Sequence, residues 1–134
     1  MGNAVMPQAA TVLVVDDDVF SQAIFRKRLV ELGVDNIHEA DNGKEAMLRL
    51  DAMARAPDFL ICDIFMPDMD GIEFIGELAK RSYPGGLILV TGGNQNMLEV
   101  AADIASMSGL RLLASLYKPV ALHTLRQAMG VAAD

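Results

Sequence analysis

The sequence predicts an α/β protein: a doubly wound, five-stranded parallel sheet with helices on both faces. Three observations lead there. Residues 11–15, 37–40, 59–62, 87–90 and 112–117 are short runs, mostly apolar, bounded by turn residues and too short for helices. Several of them are apolar at successive positions, as strands covered on both sides must be. Between them lie longer stretches with helical apolar spacing, and no segment repeats. Strict alternation of strand and helix implies parallel strands, because each helix carries the chain back to the same end of the sheet.

Taken in order, residues 1–10 read as a leader, 11–130 as one domain and 131–134 as a tail. The first strand, Thr11-Val12-Leu13-Val14-Val15, runs into Asp16-Asp17-Asp18. A helix is predicted over 19–32, with Phe25, Leu29 and Leu32 on one face, Asp18 placed to cap it and Gly33 to stop it. Strand two covers 37–40. The turn Asp41-Asn42-Gly43 leads into a helix over 44–54. Pro57 precedes strand three at 59–62, which meets Asp63; Pro67 and Gly71 shape the turn beyond it. The third helix spans 71–80 with Ile72, Ile75 and Leu78 inward. After the loop Pro84-Gly85-Gly86, strand four at 87–90 ends at Thr91-Gly92-Gly93. Helix four covers 96–108, with Met97, Ala101 and Ile104 inward and Gly109 as its stop. Strand five at 112–117 ends at Lys118-Pro119, and helix five covers 122–129. Right-handed crossovers leave few topologies, and the order 2-1-3-4-5, flavodoxin-like, is expected.

Composition narrows the function classes. The chain has 134 residues, of which 52% are apolar and only 5% aromatic, so the core is aliphatic with methionine as filler. Eleven basic against eighteen acidic side chains leave a net charge of −7, which argues against direct nucleic-acid binding and against anionic membranes. The single cysteine, Cys62, excludes an internal disulfide and a metal-ligand pair, and suits a reducing cytoplasm. No apolar run reaches membrane-spanning length, residues 1–10 carry no signal-peptide core, and Met6 stands where a myristoylation signal needs Ser or Thr.

In a parallel sheet all strand C-termini share one edge, the edge where ligands bind in open α/β folds. That edge receives Asp16, Asp17 and Asp18 from strand one, Asp63 from strand three, Thr91 from strand four and Lys118 from strand five. Carboxylates about 4 Å apart repel by about 4 kcal/mol at an effective dielectric near 20. A divalent cation relieves that repulsion. Oxygen ligands select a hard ion, and few carboxylates with open positions suit Mg²⁺. Lys118 adds a fixed positive charge and Thr91 a hydroxyl. Together they make a cradle for a phosphoryl group, with Asp63 as the acceptor oxygen.

These residues carry a resemblance. The pieces Val-Leu-Val-Val-Asp16-Asp17-Asp18, Asp63-Ile-Phe-Met-Pro67-Asp-Met-Asp70-Gly71, Leu-Val90-Thr91-Gly92 and Tyr-Lys118-Pro119 resemble the receiver domain of two-component response regulators over residues 11–130. The resemblance implies that Asp63 accepts the phosphoryl group and that Thr91 and Lys118 bind its oxygens. It implies that Asp17 holds Mg²⁺ directly, Asp16 mostly through water, and that the Phe65 carbonyl completes the set with Asp63. It implies a cis Lys118–Pro119 peptide, and a donor that is a sensor histidine kinase or a histidine phosphotransfer protein. The output would be a downstream protein or fused domain read through helix four, strand five and helix five, a face that also leaves a dimer open. Such a protein is a phosphorelay signalling module of the bacterial cytoplasm, not a turnover enzyme. The run Gly109-Leu110-Arg111-Leu112-Leu113 resembles receivers fused to EAL-type phosphodiesterases.

The pattern departs from the family at one switch position. Receivers carry Phe or Tyr three residues before the strand-five lysine, and here Ser115 stands there, with Tyr117 on the same strand face. Phe65 and Gly93 occupy the two positions that tune phosphoryl lifetime, and slow to moderate self-hydrolysis is expected. Two other classes share parts of this pattern. A haloacid-dehalogenase-like phosphatase would use Asp16-Asp17-Asp18 as its Asp-x-Asp motif, but it needs an acidic pair after the lysine and leaves Asp63 without a role. A receiver-fold interaction module that is never phosphorylated would not need the full set of charged residues. Asp18 reads as a helix cap, Cys62 as an inert buried thiol, and His38 and His123 as surface or structural residues.

Overall fold

The computed structural model describes residues 9–66, 69–93 and 95–130. Most of the expected leader, the tail 131–134 and Pro67 lie outside the described residues. Five strands, β1 (Thr11–Val15), β2 (Asn36–Ala40), β3 (Phe59–Asp63), β4 (Gly86–Thr91) and β5 (Arg111–Tyr117), alternate with five helices. The helices are α1 (Val19–Glu31), α2 (Gly43–Ala52), α3 (Gly71–Lys80), α4 (Gln95–Met107) and α5 (Leu122–Met129). The sheet order is β2-β1-β3-β4-β5 and every pairing is parallel, as the sequence predicts. The expected boundaries shift by a residue or two. The largest shift is at α2, predicted through residue 54: it ends at Ala52 because Met53 turns extended, with φ −80° and ψ 133°.

Successive strand residues feed opposite cores. Leu13, Val15, Leu60, Cys62, Leu87 and Leu89 pack on the face covered by α2, α3 and α4, against Ala46, Phe74, Ile75, Leu78, Leu98 and Ala101. Val12, Val14, Phe59, Ile61, Ile88 and Val90 pack against Phe25 and Leu29 of α1 and Leu125 and Met129 of α5. Every residue of β3 and β4 is buried, so these central strands carry no solvent-facing alternation. In α4 the buried line is Leu98, Ala101 and Ala105, while Met97 and Ile104 flank it, partly buried.

Side-chain caps fix the starts of three helices. Asp18 accepts from the Phe20 N–H at 3.0 Å and caps α1, as expected. Asn42 and Asp70 cap α2 and α3 by accepting from the N–H groups of Glu45 and Glu73. The β4–β5 register slips between Leu87, which faces Leu112, and Ile88, which faces Ala114, so Leu113 is the extra residue of a bulge. Gly86 makes room for it: a Cβ there would collide with the Leu113 side chain.

Candidate functional site

Each charged group at the C-terminal edge is held by local backbone geometry. β1 runs straight into Asp16, whose N–H donates to the Ala40 carbonyl at 3.0 Å and whose Oδ1 accepts from the Asp18 N–H at 2.9 Å. The carboxylate is therefore turned back over the strand end and is almost fully buried. Asp63 closes β3 in the same way, its Oδ1 accepting from the Phe65 N–H at 3.0 Å. The loop beyond it returns at Gly71, whose N–H donates to the Ile64 carbonyl at 3.0 Å. A Cβ on Gly71 would lie 2.5 Å from Ile64 Cα, so this return needs glycine for space. On the other side, the Lys118 N–H donates to the Thr91 carbonyl at 2.8 Å and ties the ends of β4 and β5 together. The Lys118–Pro119 peptide is cis, as the resemblance implied.

These anchors bring four predicted residues together. Lys118 Nζ lies 2.8 Å from Asp63 Oδ2 and 2.8 Å from Asp16 Oδ2. One ligand oxygen from each of Asp16, Asp17 and Asp63 lies within 4.8 Å of the others. Three carboxylates at that spacing, two buried and one exposed, are an all-oxygen donor set with open positions, which fits Mg²⁺. Thr91 is wholly buried at the adjoining strand end, and its Oγ1 accepts from the Gly93 N–H at 3.2 Å. Phe65 projects its ring outward, 44% exposed, while its N–H is spent on Asp63.

The electrostatics follow from burial. Desolvation pushes the Asp63 carboxyl above the usual carboxylate range, against the opposing pull of the Lys118 ammonium and the Phe65 N–H. Burial works to lower Lys118, but its bonds to Asp16 and Asp63 prevail and hold it above its ordinary value. Lys118 is thus the counter-charge of two buried carboxylates. Burial raises the Cys62 thiol well above its ordinary value, so this cysteine is inert at neutral pH.

The remaining expectations divide. Asp18 serves as a cap, as read. Asp41, at the end of β2, is linked to the site through Gln22, whose Nε2 donates to the Asp16 carbonyl at 2.6 Å and to Asp41 Oδ1 at 2.9 Å. Gln22 was not singled out from the sequence. Its position four residues after the Asp18 cap, one turn up the same helix, was the available signal. Ser115 faces outward on β5 opposite Leu89, and Tyr117, 47% exposed, pairs with Thr91.

Comparison with known proteins agrees with this fold. The family model of the response regulator receiver domain matches residues 12–129. The chemotaxis protein CheY of Bacillus subtilis (strain 168) is 32% identical over 91 residues, covering 67% of this chain and 74% of that protein. The sensor histidine kinase CheAY of Helicobacter pylori is 40% identical over 84 residues, 63% of this chain but 10% of that much longer protein. The crystal structure of a response regulator from Colwellia psychrerythraea superposes with a TM-score of 0.74 at 30% identity, covering 90% of this chain and 93% of that one.

Proposed function

Because the chain belongs to the response regulator receiver family, we propose that it accepts a phosphoryl group on Asp63 from a phosphohistidine of a two-component phosphorelay. The observation that carries this reading is the convergence of Lys118 on Asp63 and Asp16 beside the exposed Asp17. An Asp63 oxygen attacks phosphorus, the P–N bond of the donor breaks, and the imidazole departs with the electron pair and takes up a proton. The product is an acyl phosphate on Asp63.

Asp16, Asp17, Asp63 and the Phe65 carbonyl would hold Mg²⁺. Bound there, the ion supplies positive charge to the carboxylates and to the phosphoryl oxygens. Lys118 shifts its ammonium from the free carboxylate to a phosphoryl oxygen, and the Thr91 hydroxyl donates to another. If the Thr91 side chain turns toward the phosphoryl group, its Oγ1 moves off the Gly93 N–H, which frees the Gly92-Gly93 segment. That local change biases a pre-existing two-state equilibrium. The family likeness to CheAY supports a histidine kinase or phosphotransfer protein as donor. The output is a downstream protein or attached domain that reads the α4–β5–α5 face, and the domain, residues 11–130, binds rather than turns over. Among the described residues no helix is long and apolar enough to cross a membrane, and we place the module in the cytoplasm.

Transfer from a phosphorylated histidine phosphotransfer protein tests the reading. The label moves to the chain, is released by hydroxylamine as an acyl phosphate must be, and is absent from Asp63→Asn. Transfer that survives in Asp63→Asn would place the acceptor elsewhere.

A further inference from the structure

Gln22, in the first turn of α1, sends its side chain back toward the acidic edge. Its Nε2 lies 2.6 Å from the Asp16 carbonyl, 2.9 Å from Asp41 Oδ1 and 3.3 Å from the Ala40 carbonyl. Two carbonyls and a carboxylate offer only lone pairs, so the amide must present its NH₂ group to them. Its two protons serve the two nearer oxygens, while the Ala40 carbonyl accepts from the Asp16 N–H at 3.0 Å. One side chain of α1 thereby joins the end of β1 to the end of β2.

This clamp grips the peptide between two of the three clustered carboxylates. The Asp16 carbonyl belongs to the planar Asp16–Asp17 peptide, so holding its oxygen sets the plane from which the Asp17 side chain leaves. The Gln22 N–H donates in turn to the Asp18 carbonyl at 3.0 Å. Residues 16–18 and Gln22 therefore close a ring of bonds, within which Asp16 Oδ1 also accepts from the Asp18 N–H at 2.9 Å. The Asp17 carboxylate is the exposed member of the acidic trio, and it makes no hydrogen bond or ion pair of its own among the described residues. Its direction is set by the backbone beneath it, and Gln22 is the side chain that holds that backbone from another element.

We propose that Gln22 is a positioning residue for the divalent-cation site: its amide fixes the Asp16–Asp17 peptide so that Asp16 and Asp17 present their carboxylates together. The inference deepens the reading above and rests on it for the ligand set. A carboxylate already held in place gives up less freedom when it binds a cation, so the clamp raises affinity without touching the ion. Groups that orient a metal's ligands commonly set about 10–100-fold in affinity. Gln22 holds the backbone rather than the carboxylate, and the loss expected without it is about fivefold, that of one hydrogen bond.

Calorimetric titration of the whole chain with Mg²⁺ alone tests this. Gln22→Met keeps the length of the side chain and removes its donors, and it raises the Mg²⁺ dissociation constant about fivefold. Gln22→Leu, also without a donor, gives the same rise. The control is Arg26→Met. Arg26 lies one turn further along α1 and donates to Glu39 of β2 at 3.1 and 2.7 Å, so its loss loosens the helix against the sheet without touching the Asp16 carbonyl. Arg26→Met leaves the Mg²⁺ dissociation constant unchanged. In the metal-free protein the Asp17 amide nitrogen, which shares its peptide with the Asp16 carbonyl, changes its NMR shift in Gln22→Met and keeps it in Arg26→Met. With acetyl phosphate as donor, Gln22→Met needs about five times more Mg²⁺ for half-maximal phosphorylation but reaches the parent's rate at saturation. An unchanged dissociation constant in Gln22→Met, an equal rise in Arg26→Met, or a parent that binds no Mg²⁺ would overturn the proposal. So would a lower saturating rate at unchanged Mg²⁺ affinity, which would assign Gln22 to the transfer itself. Mg²⁺ binding with the expected rise in Gln22→Met, but no phosphoryl group taken up by the parent, would support the positioning role and defeat the phosphoacceptor reading.

Discussion

Lys118 Nζ sits 2.8 Å from Asp63 Oδ2 and at the same distance from Asp16 Oδ2, so two buried carboxylates share one ammonium. Removing it leaves both charges without their counter-ion. Breaking a buried ion pair by deleting one partner costs about 3–5 kcal/mol. Lys118 is about a fifth exposed, which places the expected loss for Lys118→Met near the low end of that range, about 3 kcal/mol. Urea denaturation in EDTA measures it. Added Mg²⁺ should recover a large part of the loss in the variant, because the ion supplies the missing charge.

The Asp63 carboxyl is pushed up by burial. Between the ordinary carboxylate value and the raised one, the folded protein binds more protons than the unfolded chain. Its stability therefore falls as pH rises through that window and is highest on the acid side of it. Asp63→Asn removes this slope and raises the melting temperature of the metal-free protein at neutral pH. Thermal melts of both proteins in EDTA from acid to neutral pH check the sign. A variant less stable than the parent at neutral pH would show that the Lys118 contact outweighs the desolvation.

Thr91 Oγ1 holds the Gly93 N–H at 3.2 Å. If phosphorylation turns the Thr91 side chain away from this N–H, the Gly93 amide loses a partner worth about 1 kcal/mol and its hydrogen exchange speeds up about fivefold. In Thr91→Ala the amide exchanges at the faster rate from the start and does not respond to phosphorylation. Amide exchange read by NMR with and without acetyl phosphate distinguishes the two.

Far from the site, the buried Tyr83 hydroxyl shares its one proton between the Pro57 and Gly86 carbonyls at 3.1 and 3.2 Å, and burial raises its pKa far above that of a free phenol. Tyr83→Phe removes the donor these two carbonyls share and should cost about 1–3 kcal/mol in urea denaturation. Gly85→Ala should cost at least as much, because a Cβ there collides with the Tyr83 hydroxyl and stands 2.5 Å from the Pro57 carbonyl oxygen.

The site was readable in the sequence because its members sit at strand ends. Asp16, Asp63, Thr91 and Lys118 each interrupt an apolar run, and a parallel sheet puts all such interruptions on one edge. The way their charges are balanced was not readable. The spacing predicted repulsion awaiting a cation, whereas Lys118 itself spans Asp16 and Asp63, a pairing that depends on side-chain reach across two strands. The Leu113 bulge was hidden because Leu112 and Leu113 are both apolar, so a one-residue slip leaves the pattern unchanged. Gln22 looked like an ordinary polar helix residue, and only the fold shows it bonded to the Asp16 carbonyl.

The most direct test of the central claim is the intact mass of the chain after incubation with acetyl phosphate and Mg²⁺, beside Asp63→Asn. The account predicts one added phosphoryl group in the parent, none when EDTA removes the metal, and none in the variant. No addition to the parent, under conditions that phosphorylate a known receiver, would contradict it and leave a receiver fold that works by binding alone.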